Sequence, residues 1–299
     1  MPRRAFRVAY DGRPYYGFQR QPEVTTVEGE LFGALRRLDV FEGEKPPGYA
    51  AAGRTDAGVS ARAQTIALDA PEWLTPSALN GELPDLIHAW AHADAPSDFH
   101  ATHDANWRAY RYFWHAPERS EGAERASGVS GSETPGGSEE QRSSGGAASH
   151  AEGVDDQRAA GALGRLLGER DFHNLTPDDE NTVRELSGGV SRENDFLVVT
   201  LRASGFCREL VRRVVSLVQA VAAGADFERI DRVLGDERVD GPEGVPPAPA
   251  GPLVLHDVDY GLDFEREARA AAAVRETFRE LREERRALAR VAGHVADSV

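Results

Sequence analysis

"GRTDAGVSA", residues 53–61, sets one arginine and one aspartate two residues apart between two glycines, and an alternating run follows directly. Gly53 and Gly58 permit φ > 0 and close backbone approach, so the stretch reads as a corner. "YAAAG" before it and "ARAQTIALDA" after it read as strands. The corner therefore joins strand to strand and lies in no helix. Two residues apart on an extended chain, Arg54 and Asp56 share one face near the surface. Such a pair is either a turn salt bridge, worth up to about 1 kcal/mol, or a carboxylate held and aimed by a cation. In the second case Asp56 can act as nucleophile or base on a sugar or a pyrimidine.

Outward from the corner, "RAFRVAYDG" alternates and ends at Asp11-Gly12, a strand entering a turn. Val27, Leu31, Leu35 and Leu38 repeat at helical spacing. Thr25 is the expected cap of that helix, with Glu28 closing a capping box. "TPSALNGELP" is a short helix capped by Thr75, and "LIHAWAHADAP" is a strand. The order is β-α-β-β-α-β, that of a ferredoxin-like unit. It then recurs. "WRAYRYFWHA" alternates, with Arg108, Tyr110, Tyr112 and Trp114 on one face. Helix "DDQRAAGALGRLLGE", a hairpin of "TVRELSGGVSREN" with "DFLVVTLRAS", helix "RELVRRVVSLVQAVAAG" and strand "PLVLHDVDYG" complete the second unit. The fold class is α+β. The expected domains are 1–104, carrying the corner, and 105–261. A Gly/Ser/Glu-rich insertion at 117–155 reads as disordered, because so little of it can be buried. A charged extension, 262–299, forms one long helix or two shorter ones.

Composition narrows the setting. The chain has 299 residues, 50 Asp and Glu against 35 Lys and Arg, and a net charge of -15. Lys45 is its one lysine. A hydrated acidic surface poor in lysine fits a salt-loaded cytoplasm, where the Debye length at 1 M is about 3 Å. A GC-rich genome also favours arginine over lysine. Net acidity would argue against a nucleic-acid partner, but a halophilic surface confounds the global number, so local patches decide. Cys207 stands alone, which excludes a disulfide framework and a thiolate metal site. The start has no apolar leader and no run approaches a membrane span, so the expected protein is soluble and cytoplasmic, with no membrane partner. His88, His92, His100 and His103 show no metal-ligand spacing, and neither phosphate-cradling glycine motif occurs. No metal, cofactor or nucleotide cofactor is expected.

Three further stretches carry two readings each. In "YDGRPYYGFQRQ", residues 10–21, Tyr16, Arg20 and Gln21 either pack on their own domain or contact an RNA loop by stacking and donor groups. On "RAYRYFW", Tyr110 is either half of a half-buried face or a platform for a flipped base. Arg212, in the apolar helix "ELVRRVVS", either snorkels or ion-pairs with a carboxylate in a cleft between the two units.

Taken together these stretches resemble the TruA family of tRNA pseudouridine synthases. "GRTDAGVSA" resembles the family signature, and "VAYDGRPYYGFQRQ", "FHATHDANWRAYRYFW", "DFHNLT", "GFCRELVRRVVSLVQAVAAG" and "LVLHDVDYG" follow in family order. The resemblance covers about residues 4–261, the insertion apart. It implies the pseudouridine synthase fold, two ferredoxin-like domains around a basic central cleft. It further implies cofactor-free isomerisation of uridine at positions 38–40 of the tRNA anticodon stem-loop, by a homodimer from a halophilic archaeon. By the same resemblance Asp56 is the essential aspartate, Arg54 its neighbouring arginine, Tyr110 the active-site tyrosine and Arg212 the cleft arginine that pairs with the aspartate. Leu255 is an apolar contact to the base. Arg54 and Arg212 would both keep Asp56 ionised. The family shows a histidine where this chain has Ser60.

Other readings compete: a non-catalytic RNA-binding module, the same chemistry on other tRNA or structured RNA positions, and a nucleoside-level base-exchange enzyme. The first has no need of an Arg-Thr-Asp at a glycine corner. The last wants paired carboxylates, and Asp56 has no evident acidic partner in sequence.

Overall fold

The computed structural model describes residues 1–117, 154–239 and 241–298. The expected insertion falls almost wholly on residues 118–153, which lie outside the described residues. The elements in chain order begin with β1 (Arg3–Tyr10), α1 (Val27–Arg37), β2 (Ala50–Ala51), β3 (Ser60–Asp69), α2 (Pro76–Asn80) and β4 (Ile87–Asp94). After β5 (Trp107–His115) come α3 (Asp156–Leu166), β6 (Gly168–Asp171), β7 (Val183–Glu193), β8 (Phe196–Ala203), α4 (Leu210–Ala222) and α5 (Glu228–Val233). The chain closes with β9 (Leu253–Asp259), β10 (Glu265–Arg266) and α6 (Ala268–Ala296).

All ten strands join one mixed sheet, in the order β10-β4-β1-β3-β9-β5-β8-β7-β6, with β2 paired to β3 off that path. The segment β4-β1-β3-β2 is antiparallel throughout. So is β9-β5-β8-β7. Each strand of the first segment has a counterpart at the same place in the second. The two segments meet where β3 and β9 run parallel, Ser60 opposite Val254 and Ala61 opposite Leu255. That seam brings the residue after the corner beside the second segment.

The helices form where apolar residues fall on one face. On α4 the stripe Leu210, Val214, Leu217, Val218 and Val221 is fully buried. The helix ends before Gly224, whose φ of +112° suits a residue without Cβ. On α1, Val27, Leu31 and Leu35 are buried as expected. The cap, however, is Thr26: its Oγ1 accepts from the Gly29 amide. Thr25 is one residue too early, because the helix starts at Val27. The Glu28 carboxylate accepts from the Arg20 amide at 2.8 Å, outside any capping box. Thr75 caps α2 as expected.

Two cores result. Leu31, Leu35, Ile66, Leu68 and Ile87 belong to the first. Leu163, Val199, Leu201, Val214 and Val218 belong to the second. Tyr110, half-buried, packs against both. Past β10 the chain forms one helix of 29 residues, α6. Its start hydrogen-bonds to β4, the Glu267 amide donating to the Trp90 carbonyl at 3.1 Å.

Candidate active site

The corner hangs between β2 and β3, and four of its carbonyls are held by hydrogen bonds. The Ala52 carbonyl accepts from Arg108 Nε at 2.8 Å, and the Gly53 carbonyl from Gln64 Nε2 at 2.9 Å. The Thr55 carbonyl accepts from the Phe18 amide at 3.0 Å, and that of Asp56 from the Val59 amide at 3.1 Å. The Thr55 hydroxyl shares a buried 2.8 Å hydrogen bond with the Tyr10 phenol. Thr55 thus points inward and turns its two neighbours out. Gly12 lies under the corner: a Cβ there would stand 1.9 Å from the Val59 carbonyl oxygen. Ser60, in the place of the family's histidine, accepts from the Gly12 amide and donates to the buried Asp11 carboxylate.

Asp56 is half-buried, and its Oδ2 accepts from Arg212 Nη1 at 3.0 Å. Arg212 also donates Nε to the Ala248 carbonyl at 2.7 Å, which fixes the guanidinium between the loop before β9 and the corner. This arginine does not snorkel. It spans the two segments and forms an ion pair. Asp56 Oδ1 accepts no hydrogen bond among the described residues. One oxygen is therefore held and the other is open to a reacting atom. Arg54 differs from the expectation. It is exposed and makes no ion pair with Asp56. Among the described residues, Arg212 is the cation paired with this carboxylate.

Tyr110 pairs through its backbone with Leu255 on one side and Leu201 on the other. Its ring meets Phe206 edge-on, with centroids 5.2 Å apart. Burial pushes its phenol up to about 12, the nearby Asp56 charge acting the same way and Arg108 against it. At neutral pH it is a neutral phenol, suited to stacking and to donating a hydrogen bond. Leu255 is fully buried in the first core. It lies beside Tyr110 in the floor of the site and presents no free surface. Of the loop 10–21, Tyr15 and Phe18 are core residues, whereas Tyr16 is 63% exposed and Arg20 and Gln21 are exposed. Arg20 lies over the Phe32 ring, and Gln21 donates to the Tyr16 carbonyl. The corner, Arg212, Tyr110 and Leu255 come together. Tyr16, Arg20 and Gln21 sit on the adjoining loop.

Sequence reasoning missed Arg108 as a fastener. Its side chain is 8% exposed, and besides Ala52 it donates to the carbonyls of Thr102 and Ser204. The signal was an arginine on the apolar face of an aromatic strand. Gln64, Tyr10 and Asp11 carried no such mark.

Comparison with known proteins bears directly on this arrangement. A family model described as tRNA pseudouridine synthase matches residues 162–261. Over 297 residues the chain is 61% identical to a tRNA pseudouridine synthase A of Halobacterium salinarum, covering 99% of both chains. It is 51% identical to that of Haloarcula marismortui, with 99% and 100% covered. To that of Methanosarcina mazei it is 34% identical, over 87% of this chain and 85% of the other. The chain belongs to the TruA family of tRNA pseudouridine synthases. Its nearness to enzymes of halophilic archaea accords with the acidic, lysine-poor composition. Within this TruA-family chain, no helix among the described residues is long and apolar enough to cross a membrane.

Proposed function

We propose that the protein isomerises uridine to pseudouridine in the anticodon stem-loop of tRNA, at positions 38–40, with Asp56 as the reacting group. The observation that carries this is the half-open carboxylate: Oδ2 on Arg212, Oδ1 free, beside Tyr110 at the junction of two cores. The strand orders support reading residues 1–104 and 105–261 as two ferredoxin-like domains that meet at the site, with 262–299 as an extension. In this reading the target nucleotide leaves its stack at a cost of a few kcal/mol. The N1–C1′ bond breaks, uracil turns, and a C5–C1′ bond forms. C5 loses its hydrogen and N1 gains one. Oδ1 of Asp56 engages the nucleotide as nucleophile or base, while Arg212 keeps the carboxylate aimed. Tyr110 stacks on the ring as a neutral phenol, over the floor that Leu255 helps to form. Arg54, free of Asp56, meets a phosphate or a base edge. Tyr16, Arg20 and Gln21 contact the RNA beside the flipped base. The same reading makes the enzyme a cytoplasmic homodimer that needs no metal or nucleotide cofactor.

The test uses tRNA carrying tritium at C5 of uridine, in high salt. Wild type releases tritium at positions 38–40, and Asp56→Asn, which keeps the shape of the side chain, releases none while still binding tRNA. Binding by wild type without release would support an RNA-binding module instead. Release confined to other positions would move the substrate site.

A further inference from the structure

The extension runs past the body that it packs on. Along α6, Glu267 bonds to Trp90, Thr277 to His88 (3.0 Å), and Arg285 to the Asp11 carboxylate. Asp11 itself donates its amide to Leu86, just before β4 begins. The helix thus runs antiparallel to β4, leaves the sheet at Arg285, and continues through Ala296. At 1.5 Å per residue the overhang is about 16 Å. It leaves at the end of the sheet where Gly12 touches Val59, three residues beyond Asp56, and where the loop with Tyr16 and Arg20 departs.

Two features of the overhang call for a partner. The half-buried positions of the docked part, Val274, Phe278, Leu281 and Arg285, recur as Leu288, Ala292 and Val295, so the body-facing stripe outlasts the body. Leu288, Val291 and Val295 are 60%, 61% and 59% exposed. The charge also changes. Glu276, Glu280, Glu283 and Glu284 accompany the arginines of the docked part, whereas no carboxylate stands between Glu284 and Asp297. Arg286 and Arg290, one turn apart and exposed, have no acidic partner there. Complementing the helix dipole does not explain them, since that effect is confined to the last turn. In a chain of net charge -15 this is a local reversal of sign beside the site.

We infer that these last turns of α6 are a second contact for the tRNA phosphate backbone, outside the corner, an inference that rests on tRNA being the substrate. A polyanion is favoured over a second copy of the chain. About three helical turns bury far less than the roughly 1,200 Å² that a stable protein interface needs. In high salt each phosphate contact weakens, while apolar burial holds or strengthens with excluded salts. Arg286 and Arg290, about 40° apart around the helix, therefore read the phosphates.

The experiment measures full-length tRNA binding by fluorescence anisotropy across a salt series, together with tritium release, for wild type, Arg286→Glu/Arg290→Glu and Arg286→Lys/Arg290→Lys. The glutamate pair raises Kd and KM about tenfold or more and flattens the slope of log K against log salt by about 2. Its kcat at saturation and its circular dichroism stay at wild-type values, and the lysine pair stays near wild type. Unchanged Kd and slope in the glutamate pair would overturn the inference. So would Leu288→Glu/Val295→Glu turning a dimer into monomers with tRNA affinity intact, which would assign the face to a second copy. If wild type releases no tritium and yet the glutamate pair still weakens tRNA binding, the catalytic reading falls and this surface stands.

Discussion

The corner at 52–59 and the turn at 194–195 occupy the same place in the two halves of the sheet. One joins β2 to β3, the other β7 to β8. The second is minimal: Glu193 pairs with Phe196, and Asn194 makes the reversal with a φ of +53°. Its fasteners are the ladder on either side. The first is longer and follows a strand of two residues, too short a ladder to hold it. Its carbonyls depend on Arg108, Gln64 and Phe18, and its carboxylate on Arg212. Two of those four come from the other half. A turn that only connects can be made locally. A corner that must present one carboxylate at a fixed angle is held by remote groups, and moving any of them moves the chemistry.

The largest effect expected from this contrast follows removal of Arg108. Arg108→Met keeps the length of the side chain and leaves the carbonyls of Ala52, Thr102 and Ser204 without their donor. The buried Ala52 orphan costs about 1–3 kcal/mol, and the Thr102 and Ser204 carbonyls, on exposed residues, regain water, so denaturant unfolding should show a loss of about 2–3 kcal/mol. Below that transition, kcat should fall further than the folded fraction does, because the corner loosens before the sheet melts. A variant with wild-type kcat per folded molecule would show that the corner holds itself.

The matching change in the other half is smaller. Asn194→Ala places an ordinary side chain at positive φ, at a cost of about 1 kcal/mol. Thermal unfolding should report that shift. Tritium release per folded molecule should not change, since nothing in the site bonds to this turn. A fall in kcat here would mean that the two turns are not as separate as their fasteners indicate.

The same contrast accounts for what was legible in the sequence. Period and punctuation are local, so every strand and helix read from "RAFRVAYDG" through "PLVLHDVDYG" has its counterpart, and the repeated order emerged from them. The corner was legible because glycines mark it. Its partners were not. Gln64 is a polar residue in an alternating strand, and Tyr10 ends β1 like any core tyrosine. Arg108 carried a mark, but not its target. The assignment of Arg54 to Asp56 failed for the same reason. Spacing of two on an extended chain can put both side chains on one face, but Asp56 finds its cation in Arg212, from the other half, and Arg54 stays exposed. Arg212 was reachable only as one of two possibilities, because whether an arginine in an apolar helix snorkels or pairs depends on a loop 156 residues away.

The smallest effect concerns the third remote hold on the corner, α6. Arg285 neutralises Asp11, which takes the Ser60 hydroxyl at the base of the corner, and His88 bonds to Thr277 farther up the helix. Burial lowers the His88 pKa from its ordinary 6.5, with Asp85 opposing. The fold therefore prefers neutral His88, and the unfolded chain binds the proton more readily in the window just below 6.5. Its contribution to stability is complete above that value, declines as the pH falls toward the folded pKa, and stays lost below it. Hydrogen exchange at pH 7.5 and 5, corrected for intrinsic rates, should show less protection of the α6 amides near Thr277 and of Ser60 at the lower pH. The amides of the β7–β8 hairpin should not change. His88→Gln keeps a group able to bond to Thr277 and cannot titrate, so it should remove the difference in α6. If protection falls equally in both hairpins, acid loosens the whole sheet, and the corner has no special dependence on the helix.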